Sequence, residues 1–408
     1  MPSPSPGTLS SASIPIPLEI IQHILCFCDR QTLHAASLVA HHFLDASQRE
    51  LFSELKLRRA SAVELKRLSS VLVNSPHIAS YVRVLSLSLD LDHFTEISLI
   101  LQALTSLTAI SLNWHGSNWE TLDEREKVAT ITVLGRSTLT IVTVTSLRFK
   151  TASALVSMLC SLGPNVQSLS LIRVQQENET SPATSLSTAP KDHNSLAPLT
   201  SQFRPGISTL KLPNGIPHGF LLWLRNHADP SHIQTLVVPL WSQIDGSFQQ
   251  LLRATVNLQH LTLSTNRLSV LWPTAGANLN NVSRLASLTF ESRFDEIEEK
   301  EGGLPVYNPL VDLCSLLRRT HTLPQLTKLT VRMVYACTDP MWYFHQPGAD
   351  LNSLLSEPVA SHIKSVLIVY EWSLGSGAKP QDDIYNKDAL RKDFAEFLQR
   401  GTLSFGEP

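Results

Sequence analysis

Residues 258–263, Leu-Gln-His-Leu-Thr-Leu, and residues 82–87, Val-Arg-Val-Leu-Ser-Leu, share one pattern: apolar side chains at positions one, four and six of a six-residue run. Alternate residues of an extended chain point to opposite faces, so positions four and six share a face. The pattern occurs ten times. It begins at Val82 (with Leu85, Leu87), Leu107 (Ile110, Leu112), Leu139 (Val142, Val144), Val166 (Leu169, Leu171) and Ile207 (Leu210, Leu212). It continues at Ile233 (Leu236, Val238), Leu258 (Leu261, Leu263), Leu285 (Leu288, Phe290), Leu326 (Leu329, Val331) and Ile363 (Val366, Ile368). Successive spacings are 25, 32, 27, 41, 26, 25, 27, 41 and 37 residues, and the five at 25 to 27 match the period of a strand-plus-helix repeat.

Helix-like runs separate the copies at Phe94–Leu104, Glu124–Leu134, Ala152–Leu162, Phe248–Ala254 and Pro309–Arg318, as a strand followed by a returning helix requires. The two 41-residue intervals hold polar insertions, Gln175–Ser195 and the acidic run Asp295, Glu296, Glu298, Glu299 and Glu301. Loops in repeat arrays tolerate such insertions because closure entropy grows slowly with length. Near the end, Leu390, Phe394, Phe397 and Leu398 form an apolar stripe that reads as a terminal capping helix.

At 408 residues the chain exceeds one conventional core, which agrees with a repeat array. Thirty-three basic residues against 35 acidic ones leave a net charge of −2, so composition favours neither nucleic acid nor an anionic membrane surface. The five cysteines are odd in number and scattered, which points to a reducing cytoplasm or nucleus rather than a disulfide framework. The opening MPSPSPGTLSSAS has neither a basic leader region nor a long apolar run, and it reads as a disordered tail over residues 1–13. The sequons at Asn178 and Asn281 carry no weight in a chain of that compartment.

The segment Ile16–Phe52, IPLEIIQHILCFCDRQTLHAASLVAHHFLDASQRELF, divides into three short helices, with breaks at Asp29–Thr32 and near Val39–His42. On a helical wheel Leu18, Ile20, Ile21, Ile24, Leu25, Phe27 and Cys28 spread over about half the first helix's circumference. Two small neighbouring helices cannot cover so wide a stripe, and a unit of this size rarely folds alone. Part of the stripe is therefore expected to meet the rest of the chain or another protein.

This segment resembles the F-box. The resemblance rests on Ile16-Pro17-Leu18-Glu19-Ile20, Ile24-Leu25, Leu33, Leu38-Val39 and Phe43, and departs from the common pattern at Cys28, Ala40 and Phe43, each smaller or less apolar than usual. It implies docking to a Skp-type adaptor, and through it to a cullin, by Pro17, Leu18, Ile20, Ile21, Ile24, Leu25, Leu33, Leu38, Val39 and Phe43. The repeats resemble the leucine-rich repeats that follow the F-box in one branch of that family, although only Asn266 supplies the Asn usual at position nine. The implied fold class is α/β: a three-helix F-box-like segment over residues 14–55, then an irregular solenoid over 56–375 with parallel strands on the concave side and helices on the convex side. Insertions fall near 175–200 and 294–305, and a linker with a capping helix fills 376–408.

The implied function is substrate recognition for an SCF-type (Skp-cullin-F-box) ubiquitin ligase, the repeats holding an unidentified target protein. A second reading stands beside it: a repeat scaffold without ubiquitin machinery, its N-terminal helices a cap. Catalysis is not expected, since no phosphate loop, nucleophile elbow or carboxylate pair is present, and no cofactor is implied. Cys26-x-Cys28 beside His23, His41 and His42 does not make a metal site, because a two-residue helical step turns the thiols apart. The position-five column, Ser86, Ser111, Thr143, Ser170, Lys211, Val237, Thr262, Thr289, Thr330 and Leu367, reads equally as a recognition surface or as a solvated sheet face. The aromatic residues Tyr335, Trp342, Tyr343 and Phe344 read as a contact patch or as core closing the array.

Overall fold

The computed structural model describes residues 16–39, 41–58, 60–88, 94–177, 205–212, 217–239, 246–266, 278–295, 309–320, 323–336, 353–354, 360, 362–372 and 403–406. The expected disordered tail, nearly all of the Gln175–Ser195 insertion, the acidic run beyond Asp295, the aromatic residues at 342–344 and the capping-helix stripe lie outside these residues. The chain forms two compact units, Met1–Ala109 and Ile110–Pro408.

The first unit opens with α1 (Leu18–Leu25), α2 (Arg30–Val39) and α3 (His41–Leu51). Pro17 precedes α1 and its carbonyl accepts the Ile20 and Ile21 amides at 3.1 and 3.2 Å. Asp29 starts α2: its carboxylate accepts the Thr32 amide at 2.7 Å. That bond stabilises the charged form and holds the Asp29 carboxyl below its usual range. Both helices pack on α3, and Ile21, Leu25, Leu33 and Ala46 close a small core flanked by half-buried Cys28, Ala36, Phe43 and Leu51.

Two residues after α3 the chain enters β1 (Glu54–Leu57), then α4 (Ala62–Asn74), α5 (Pro76–Tyr81), β2 (Val84–Ser88) and α6 (Phe94–Ala103). Ser61 and Glu64 form a reciprocal capping box that fixes the start of α4. β1 lies parallel to β2 with Leu55 opposite Leu85 and Leu57 opposite Leu87. Phe52-Ser-Glu-Leu55-Lys-Leu57 is thus a further copy of the one-four-six pattern, and the boundary expected at residue 55 falls inside its strand. Phe52 reads as the end of a helical stripe until the pairing with β2 is seen.

The second unit contains β3 (Ala109–Asn118, beginning one residue before it), α7 (Glu124–Leu134), β4 (Ile141–Phe149), α8 (Ala152–Cys160), β5 (Ser168–Ile172) and β6 (Gln175–Gln176). It continues through β7 (Thr209–Lys211), α9 (His218–His227), β8 (Thr235–Pro239), α10 (Gly246–Ala254) and β9 (His260–Asn266). β10 (Ser287–Asp295), α11 (Pro309–Arg318), β11 (Lys328–Ala336), β12 (Ser365–Trp372) and β13 (Leu403–Gly406) complete it. The strand order follows the chain, with only the short β6 set aside beside β4. Every pairing from β4 to β13 is parallel.

Position four of each repeat stacks on position four of the next: Leu169 on Leu210, Leu210 on Leu236, Leu236 on Leu261, Leu261 on Leu288, and Leu288 on Leu329. All of these are buried, each contributing about 1.5–3 kcal/mol of apolar transfer. The backbone repeats with the same regularity. The carbonyl two residues before each strand's position four accepts two successive amides of the next repeat: Gln167 takes Ser208 and Thr209, Ser208 takes Gln234 and Thr235, and Gln234 takes Gln259 and His260. Gln259, Ala286 and Thr327 continue the series, so the entry to each strand is hydrogen-bonded to its neighbour ahead of the strand itself.

Helices start where caps dictate. Asp123 and Glu126 form a capping box on α7, and the Thr151 hydroxyl accepts the Ala154 amide on α8. Two repeats carry a left-handed residue at position eight, Ser146 within β4 and Arg173 directly after β5, with φ of 55° and 52°. Near the C-terminus Leu403 pairs with Val366 and Phe405 with Ile368, which adds a strand inside the segment 376–408 that the sequence reading had as linker and capping helix. The alternation over four residues is too short to separate from chance without its partner strand.

Candidate functional site

The first helix has two apolar faces, and only one is used by the fold. Ile21 and Leu25, one turn apart, point into the three-helix core and are each 4% exposed. Ile20 and Ile24, with Phe27 in the turn just past the helix, at spacings of four and three, follow a second ridge with exposures of 50%, 55% and 78%. Ile16, Pro17 and Leu18 are also exposed at the helix entry, and Leu38 and Val39 at the end of α2 reach 75% and 76%.

Of the ten residues assigned to docking, six therefore stand open: Pro17, Leu18, Ile20, Ile24, Leu38 and Val39. Ile21, Leu25 and Leu33 are core, and Phe43 is half-buried against them, where they hold the helices that present the others. Two open residues, Ile16 and Phe27, were not among the ten. The i, i+4, i+7 step from Ile20 to Phe27 is the signal that identifies Phe27. His23 supports it, its ring meeting Phe27 edge-on at 5.3 Å.

The inner side of this segment is tied down elsewhere in the same unit. Ala46 and Ser47 of α3 are buried, and the Tyr81 hydroxyl at the end of α5 donates to the Asp45 carboxylate. Arg49 pairs with Asp45 at 2.9 Å and lies over the Tyr81 ring at 5.4 Å. The hydrogen bond that Tyr81 donates to Asp45 stabilises the protonated phenol and pushes it above its ordinary range. The α1–α3 cluster is thus anchored through α3, which leaves the outer ridge of α1 uncovered.

The thiols of Cys26 and Cys28, just past the end of α1, donate to carbonyls of that helix, His23 at 2.9 Å and Ile24 at 3.5 Å. Among the described residues no three His, Cys, Asp or Glu side chains gather into a metal-holding group, and no helix is long and apolar enough to cross a membrane.

The hydroxyl-rich column read from sequence is aligned by the sheet of the second unit. Thr143 faces Ser170, Ser170 faces Lys211, Lys211 faces Val237, and the row runs on through Thr262, Thr289, Thr330 and Leu367. Its members are half-exposed, apart from exposed Lys211, while the residues on either side of each along its strand are buried.

No family model and no curated protein sequence matches the chain. Among solved structures, an internalin (inlF) from Listeria monocytogenes aligns at 14% identity over 90% of this chain and 88% of that one, with a TM-score of 0.28. The described residues show three short helices with an open apolar ridge in the first unit and an in-register parallel α/β repeat array in the second.

Proposed function

We propose that this protein is the substrate-recognition subunit of an SCF-type ubiquitin ligase. In this reading Ile16, Pro17, Leu18, Ile20, Ile24, Phe27, Leu38 and Val39 dock a Skp-type adaptor and through it a cullin, and the repeats hold a target protein. The observation that supports it is the uncovered ridge of α1 beside a core that is already closed. Leaving an Ile, Leu or Phe in water forgoes about 1.5–3 kcal/mol relative to burial. A grouped exposure of this kind marks an interaction surface. Such a role belongs to the cytoplasm or nucleus.

A second reading is favoured by the Tyr81–Asp45 and Arg49–Tyr81 contacts: the helices cap the array, and the protein is an interaction scaffold outside the ubiquitin system. Co-purification of the full chain with a Skp-type adaptor separates the two. A stoichiometric complex abolished by Ile20→Asp with Ile24→Asp supports the ligase reading, because both residues lie outside the core and their loss leaves the fold intact. Absence of a complex from folded full-length protein supports the scaffold.

A further inference from the structure

The open face of β9, β10 and β11 is a three-by-three grid of polar side chains. One row is His260, Ser287 and Lys328; the next is Thr262, Thr289 and Thr330; the third is Ser264, Glu291 and Arg332. The flanking strands break the polarity. On β8, Val237 stands opposite Thr262 and Pro239 opposite Ser264. On β12, Leu367 stands opposite Thr330 and Val369 opposite Arg332. All four flanking residues are half-exposed on the same face.

Charge within the grid is unevenly matched. Glu291 faces Arg332 at 3.7 Å, so these two offset each other. Lys328 is exposed, its neighbours in the row are Ser287 and Ser365, and among the described residues no carboxylate pairs with it. A hydroxyl row gives donors and acceptors to a peptide backbone, and Lys328 gives an uncompensated cation on one side of that row.

We propose that this face takes an extended segment of a partner protein running across the strands, with an aliphatic residue at each end and an acidic residue between them. The proposal rests on the repeats being the target-binding part of the protein. Four strand intervals of about 4.8 Å separate β8 from β12, roughly 19 Å, which an extended chain rising about 3.3 Å per residue spans in about six residues. The aliphatic ends meet Val237 and Pro239 on one side and Leu367 and Val369 on the other. The backbone between lies along Thr262, Thr289 and Thr330, and the acidic side chain reaches Lys328.

Selection of a random dodecapeptide display library on the full chain tests this. The expected result is enrichment of peptides with two aliphatic residues about six positions apart and Asp or Glu between them. Lys328→Glu then shifts the intervening preference to Lys or Arg, and a chosen peptide binds at least tenfold more weakly by fluorescence anisotropy. Val237→Thr, which keeps the β-branched shape, weakens the aliphatic preference without unfolding the strand. No enrichment, enrichment without the spacing, or an acidic preference unchanged by Lys328→Glu overturns the proposal. Adaptor co-purification is measured on the same variants, so failure of the ligase reading and failure of this one are distinguishable.

Discussion

Asn257, the residue before the first leucine of its repeat, donates its side-chain amide to the Ser231 carbonyl of the preceding turn at 2.8 Å. Asn165 makes the same bond to Ser137 at 2.7 Å, again one residue before its repeat's first apolar position. The Asn that joins neighbouring turns thus sits ahead of the strand in these two repeats, where a search for Asn at position nine does not find it. Asn257→Ala is expected to cost about 1 kcal/mol, the usual net worth of such a bond. Asn165, more exposed, costs less on substitution. Urea unfolding of the two variants should rank them in that order.

Gly163 and Gly219 lie hard against neighbouring main chain. A Cβ added to Gly163 would overlap the Arg136 carbonyl, and one at Gly219 would stand 2.7 Å from the Ala152 carbonyl oxygen. Both obstacles are main chain, so relief requires the turns to part. Gly163→Ala should destabilise by about 1–3 kcal/mol or more, and Gly219→Ala by no more than that. Thermal melts of both variants check this, and an unchanged midpoint for Gly163→Ala would contradict the packing described.

Neighbouring positions on α1 should respond in opposite ways. Ile21→Ala or Leu25→Ala removes core methylenes and should cost about 2–5 kcal/mol at the three-helix cluster. Ile20→Ala and Ile24→Ala should stay within about 0.5 kcal/mol of the parent, because half or more of each side chain is already exposed. Amide hydrogen exchange over residues 18–51 reads both effects in the intact chain.

The Tyr81–Asp45 bond sets a pH dependence at the alkaline end. The phenol's folded pKa is raised above its unfolded value near 10, so its stabilising contribution is fully present below about pH 10. It is lost as pH rises through the folded pKa. Tyr81→Phe should therefore be less stable than the parent at pH 7 to 9, and the gap should close above pH 10. A gap independent of pH would remove the hydrogen bond as its cause.

Much of the array was legible because its signal is local. Leucines at positions four and six reveal one buried face of a short strand, and the runs Glu124–Leu134 and Pro309–Arg318 coincide with α7 and α11 to the residue. The terminal rungs were not legible. Phe52-Leu55-Leu57 and Leu403-Phe405 are too short to rise above background, and they become strands only through pairing with β2 and β12. On the candidate site, the apolar residues of α1 were all visible, but they were named as one set where the fold splits them into two.

The repeat, its period, its ten inner strands, five of its helices and the excess of apolar surface on the first helix could be read from residues alone, because each follows from periodicity within a few residues. Only the tertiary structure decided that Ile21 and Leu25 face inward while Ile20, Ile24 and Phe27 do not. It alone aligned His260, Ser287 and Lys328, residues 27 and 41 positions apart, into one row. The physical reason is the same in both cases: burial and register are set by whichever distant element supplies the opposing surface, and no local pattern specifies that partner.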